Sequence, residues 1–406
     1  MYKISLHGQT RVGCNEDAWR LTPRIWFENK TANTLYGAAF TGSRLDGVNR
    51  YAPQSGMNEA GLVFSRLATH TPENQYARNQ HKKKITDPTQ YLKDILHHCS
   101  TVDEVKQRID QFDHSYFKED VFIYVDRSGK YLLVEPFTMT LGNEANYVLS
   151  NFCPSATSAA DALSLDRYRH GVEFLKHHID TSIQFFTALS DTMHVCRKRK
   201  GDGTLLTSIW NPNEGNVTLY FYHDYQHSLR FNLSEELSKG DHLLDITKLF
   251  PPNPEFQQLA DYKIPHDTPY MRVILMIAAL FFAFTSIYFP VSWFKTMNTK
   301  YARVQLLLSV LSLILIAYLY VLFRNINIYY FSAPYQDRYS FWISCSSYIP
   351  IVMGLLILPL SILNYLIIKE KLWKPFPRRL FLVSNITIWL LAGLFAYWGL
   401  FSIFKP

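Results

Sequence analysis

Two things are scarce in this 406-residue chain, and each scarcity excludes a class of function. Cysteine is the first. The five cysteines stand at positions 14, 99, 153, 196 and 345, without the paired spacing of a zinc or redox site. No metal, no cofactor and no disulfide framework is therefore expected, and each cysteine reads as a buried thiol. Charge within the apolar part is the second. No Asp, Glu, Lys or Arg occurs from Val273 to Phe294, Val304 to Phe323, Phe341 to Ile368 or Leu380 to Phe404. Each stretch reaches the roughly 20 apolar residues that span a bilayer. With no ionisable group inside, none offers the relay or ion path of a pump or channel. The net charge of +7 lies partly in the loops between these stretches, so no nucleic-acid partner is expected.

What is present falls into two parts. Up to about residue 268 the chain mixes alternating strands with amphipathic helices, and beyond that it is almost wholly apolar. In the apolar part, Trp293, Trp342, Tyr329, Tyr330 and Tyr339 stand near the ends of the stretches, as interfacial aromatics do. Pro350 and Pro359 predict a kink in the third. The first loop holds Lys295, Lys300 and Arg303, and the third Lys369, Lys371, Lys374, Arg378 and Arg379. The second holds only Arg324 and Arg338, and the tail only Lys405. Positive charge marks the cytoplasmic side, so the first part is expected outside the cytoplasm, with the lipid bilayer as a partner of the second. Exporting it calls for a signal peptide, whereas Met1 opens directly on a strand pattern.

In the first part, Tyr2, Ile4 and Leu6 alternate with Lys3 and Ser5, His7-Gly8-Gln9 turns, and Thr10-Arg11-Val12 returns: a hairpin. It runs into Gly13-Cys14-Asn15-Glu16-Asp17-Ala18-Trp19, whose spacing alone suits a solvated turn as well as a site. Asp87-Pro88 predicts a helix start, with Tyr91, Leu92, Ile95 and Leu96 inward. Ser100 with Asp103 predicts a second, with Val102, Val105, Ile109 and Phe112 inward. His97 and His98, adjacent on a helix, diverge by about 100° and read as solvent-facing rather than as metal ligands. Further strands are expected at Val121–Val125, Tyr131–Glu135, Leu205–Trp210, Val217–Tyr222 and Ser228–Leu233, and a helix at Leu165–Ile179 with His170, His177 and His178 on its surface. The polar segment from Thr71 to Lys84 reads as a loop at the mouth of the site, and Arg197-Lys198-Arg199-Lys200 as a solvated turn. Helix pairs between groups of strands give an α+β class.

The stretch GCNEDAW, reached through a short hairpin, resembles the G-x-N-x-D-W segment of the choloylglycine hydrolase and penicillin V acylase group of N-terminal-nucleophile hydrolases. Gly56-Met57-Asn58-Glu59-Ala60-Gly61-Leu62 resembles its GMNEAGL element. Val125-Asp126-Arg127-Ser128-Gly129-Lys130 with Val134-Glu135-Pro136 resembles its D-x-x-G … E hairpin. Tyr147 to Phe152, with Asn151, and Ser164-Leu165-Asp166-Arg167-Tyr168 follow in the family's order. The resemblance implies an αββα sandwich, and with the four apolar stretches the chain reads as residues 1–235 hydrolase-like, 236–268 linker and 269–406 a region of four transmembrane helices.

It also implies amide hydrolysis by an N-terminal Cys whose own α-amine is the base. Asp17 would orient that Cys, Asn58 would donate to the oxyanion, Asn151 would hold the amine or the intermediate, and Arg167 would favour the thiolate. Met1 has no thiol to offer. The nucleophile is therefore expected about two residues upstream, as in Cys-Thr-Met-Tyr-Lys, exposed by signal cleavage. Where bile-salt hydrolases carry Arg this chain has Cys14, which argues for a simpler N-acyl amide, with lipid-like acyl groups within reach of a membrane-bound enzyme. Self-cleavage ahead of Cys14 is a minor alternative route to an N-terminal Cys. The reading is a membrane-anchored amidase acting on small N-acyl amides. Its alternative is an inactive relative that binds a ligand or partner at the membrane, and weaker still is a receptor or transporter built on the bundle.

Overall fold

The structure, a computed structural model, describes every residue except 18–21, 47, 70–81, 198–201, 332, 338–339 and 402–406. The expectations for Trp19, for most of the 71–84 loop, for the basic run at 198–200 and for Arg338, Tyr339 and Lys405 fall outside the described residues. The chain divides into two units, Met1–Leu259 and Ala260–Pro406.

The first unit is built on two antiparallel sheets. Strands Tyr2–Leu6 and Gln9–Asp17 join through a tight turn in which His7 and Gly8 both have positive φ (50° and 75°), the handedness that a two-residue hairpin needs. Gln9–Asp17 pairs on its far side with Asp202–Asn211, and the sheet continues to Asn216–Phe221 and Asp224–Asn232. On the other edge Tyr2–Leu6 pairs with Asn146–Val148. The second sheet is centred on Ala38–Gly42, Ser55–Asn58, Val63–Ala68 and Asp120–Val125, with Tyr131–Val134 and Met139–Gly142 at one end and Arg24–Glu28 at the other.

The two-residue period of each strand sorts its side chains between two interiors. Phe122 and Tyr124 go outward to helices Pro88–His98 and Val102–Ile109, where they pack with Leu92, Ile95 and Val105. Tyr2 and Ile4 go outward to helices Asp166–His177 and Ile183–Met193, against Leu175, Phe186 and Leu189. The remaining faces meet one another, with Cys14 on Ser65 and Ser55 on Ser208. This is the αββα sandwich. Because strands are covered on both faces, even Lys3 is fully buried, its Nζ donating to the carbonyls of Gly129 (2.9 Å) and Glu144.

Three expectations are corrected. Residues 236–259 are not linker. Helix Leu233–Leu237 buries Leu233 and Leu237, and His242–Asp245 pairs with Arg24–Glu28, closing the edge of the second sheet that would otherwise be open. The second helix starts one residue later than Ser100. Thr101 is its cap, and Glu104, not Asp103, closes the capping box. His97 is buried rather than solvent-facing, with Nδ1 2.8 Å from the Tyr36 carbonyl and Nε2 3.2 Å from Glu28.

Among the described residues, the second unit carries four helices long and apolar enough to cross a membrane: Pro269–Phe294, Arg303–Arg324, Phe341–Lys369 and Pro375–Tyr397. The third breaks after Ser346 and resumes as Ile349–Lys369, so Pro350 stands in a first helical turn and Pro359 lies inside the helix. Leu280, Ile287, Leu355 and Leu390 are each at least 67% exposed, an outer surface suited to lipid. Several polar groups turn inward, and some pair there, as Thr285 does with Ser312 at 2.9 Å.

Candidate active site

Strand Gln9–Asp17 carries its last residues to the end of the inter-sheet layer. Asp17 stands opposite Thr204, where the register of Asp202–Asn211 shifts. Its carboxylate accepts from Arg167 Nη2 at 2.8 and 3.1 Å and from Thr204 Oγ1 at 3.3 Å. Arg167 reaches it from the first turn of Asp166–His177. Asn151 follows the strand Asn146–Val148 and donates from Nδ2 to the Ala68 carbonyl at 2.9 Å, leaving its second amide hydrogen for another acceptor. Asp17, Asn151 and Arg167 line one small cleft of about 40 Å³.

The head of the first strand belongs to the same place. Met1 and Leu149 exchange backbone hydrogen bonds at 3.1 and 2.9 Å, which sets Met1 beside Ser150 and Asn151. Burial pushes the Met1 amine down to about 6; Cys14 and Asp17 pull it up, and Arg167 pushes it further down.

Asn58 is not part of this group. Its Nδ2 donates to the carbonyls of Leu96 and Cys99 at 2.6 and 2.7 Å, and its Oδ1 accepts from Leu62 N at 2.9 Å. Both amide hydrogens are spent on fastening the turn after its strand to the end of helix Pro88–His98, so none is left for an oxyanion. Cys14 is no nucleophile either. Its thiol lies 2.9 Å from Ser65 Oγ, and burial, reinforced by Glu16, pushes it up to about 12.

Sequence reasoning passed over Glu16. It is 5% exposed, lines the cleft, and accepts from Thr41 Oγ1 at 2.6 Å and Ser55 Oγ at 3.1 Å. Burial pushes its carboxyl up to about 7 despite those two hydrogen bonds and the nearby Arg44. The available signal was alternation: Glu16 shares a strand face with Cys14. Asn15, between them, is tied to Ser190 and Thr207 and serves the fold. Among the described residues no three His, Cys, Asp or Glu side chains converge on a metal-sized site.

No protein-family model and no curated protein sequence matches the chain. Solved structures do. Two variants of the conjugated bile acid hydrolase from Clostridium perfringens align at 16% and 15% identity, with TM-scores of 0.45 and 0.43, each over 62% of this chain and 97% of that one. Penicillin V acylase from Agrobacterium tumefaciens aligns at 13% identity and a TM-score of 0.43, over 60% of this chain and 90% of its own.

Proposed function

We propose that this chain is a membrane-anchored amidase that hydrolyses linear N-acyl amides, its nucleophile being the thiol of an N-terminal Cys just ahead of Met1 in the mature protein. One juxtaposition carries the reading. The Asp17–Arg167 ion pair and Asn151 line a cleft next to the Ser150–Asn151 segment on which the head of the first strand is fastened, so a residue ahead of Met1 would enter beside them.

A free N-terminal Cys supplies nucleophile and base together. The α-amine takes the Sγ proton, and the thiolate forms a C–S bond to the amide carbon. The tetrahedral oxyanion then collapses, breaking the C–N bond and passing the proton to the leaving amine, and water hydrolyses the thioester. Asp17 orients the amine, Arg167 favours the thiolate by its charge, and Asn151 offers its remaining amide hydrogen to the amine's lone pair or the oxyanion. The four apolar helices serve as the anchor, and the positive charge of their first and third loops supports an extracytoplasmic catalytic unit.

The test is terminal sequencing of the protein purified from membranes of its own cells, followed by incubation with N-acyl amides. The expected result is a mature chain beginning with Cys just ahead of Met1 and releasing free amine. A mature chain beginning at Met1, with no amine released, overturns the proposal.

A further inference from the structure

The cleft contains a charged group that the proposed reaction does not use. Glu16 Oε1 is engaged by Thr41 and Ser55, while Oε2 accepts no hydrogen bond among the described residues. A glutamine would serve the two hydroxyls equally well without bringing an ionisable group into the interior. The carboxyl has been pushed up to about 7 by its burial, so its position works against the fold and calls for another reason. Among the described residues, the charges around it are Asp17, next on the strand and paired with Arg167 from the helix, and Arg44, from the short strand Arg44–Leu45, which stands near enough to favour its ionised form. The remaining described wall is polar at Asn15, Ser43, Gln54 and Asn151 and apolar at Leu67 and Ala68. Such a wall does not suit a hydrocarbon group.

We infer that Glu16 is the specificity-determining residue of this cleft, and that the molecule bound there carries an ammonium or guanidinium group which takes the uncommitted Glu16 oxygen. Calling that molecule an amide substrate rests on the amidase reading; the binding of the cation does not. A cation at Oε2 is a charge-assisted hydrogen-bond partner for an oxygen that accepts none among the described residues.

The test uses the full chain, matured in its own cells and purified in detergent. It compares three amides: N-butanoyl agmatine, with the guanidinium on the amine side; the butylamide of 4-guanidinobutanoic acid, with it on the acyl side; and neutral N-butyl butanamide. One guanidinium amide is expected to exceed the neutral one at least 10-fold in kcat/KM. Glu16→Gln should erase that preference and Glu16→Asp should restore part of it. In parallel, calorimetry should show butylguanidine binding the wild type at least 10-fold more tightly than it binds Glu16→Gln, with Glu16→Asp again intermediate. Amides cleaved without preference, or a preference that survives Glu16→Gln, overturn the inference and leave the amidase reading standing. If no amide is cleaved, the amidase reading falls, and butylguanidine alone decides. Its failure to bind the wild type then overturns the inference too.

Discussion

Where the sheets of the first unit meet helices, the contacts are Phe186 on Tyr2, Leu92 and Ile95 under Phe40, and Val105 beside Phe122. Where the sheets meet each other near Asp17, they are a thiol on a hydroxyl, a hydroxyl on a hydroxyl, and two hydroxyls on a carboxyl. Both layers are buried, and the inter-sheet layer has apolar side chains of its own at Val12, Met57, Val63, Ile123 and Leu206, but it carries a polar run towards Asp17. The difference teaches where each task is performed. The helix–sheet layers supply the burial that holds the unit together. The inter-sheet layer gives up part of that burial for directional groups at fixed positions, and the cleft opens at its end.

The comparison is broken most sharply from the apolar side. Phe186→Ala, in a fully buried position, should cost about 3–5 kcal/mol of stability at any pH, as large cavities do, read by urea unfolding at pH 5 and pH 8. Glu16 should behave in the opposite way, with a small effect at one pH and a large one at another. Its carboxyl stands at about 7 in the fold against 4.5 in the open chain, so the fold favours the protonated form. That contribution is fully present below 4.5 and lost as the pH rises through 7, a swing on the order of 3 kcal/mol. Glu16→Gln should flatten it, and a wild type equally stable at pH 4 and pH 8 would contradict the assignment.

The two asparagines sharpen the contrast. Asn58→Ala leaves two carbonyls and an N–H without their partner and should cost about 2–3 kcal/mol of stability, with kcat of the folded fraction unchanged. Asn151→Ala should leave unfolding nearly untouched and lower kcat by about 10²-fold, the usual loss for one oxyanion donor. Exchanged results would exchange their roles. The smallest effect is at a helix end: Thr101→Ala removes a capping-box partner and should cost about 1 kcal/mol, seen as a lower unfolding midpoint.

These asparagines also show what was legible in the sequence. The hairpin, the helices and the four apolar stretches follow from periodicity, because each depends on local spacing, whereas the αββα order comes only from the resemblance, periodicity alone giving α+β. The residues of the quoted motifs then part into two kinds that spacing does not separate. Asn58, Asp126 and Glu135 build turns and caps: Asp126 holds Ser128 and Val102 N, and Glu135 holds Ser155. Asp17, Asn151 and Arg167 meet at the cleft. Both kinds need a polar residue at a fixed place, and what divides them is whether nearby backbone consumes the side chain's hydrogen bonds. Glu16 and His97 were hidden for a related reason. Alternation or helix rotation says that neighbours point apart, and only a second sheet, or Glu28 69 positions earlier in the chain, decides which of them is inside. The stretch 236–259 was misjudged because its strand exists only by completing an edge begun at Arg24.

The backbone pairing of Met1 with Leu149 has a practical side. Residues placed ahead of Met1, whether an affinity handle, a fluorescent protein or a leader left uncut, would start beside Ser150 and Asn151, at the edge of the cleft. On the amidase reading, such a fusion would silence the protein by covering the cleft, and the silence would come from the label. On that reading handles belong at the carboxyl end, and an uncut leader would itself keep the protein latent until a peptidase removed it.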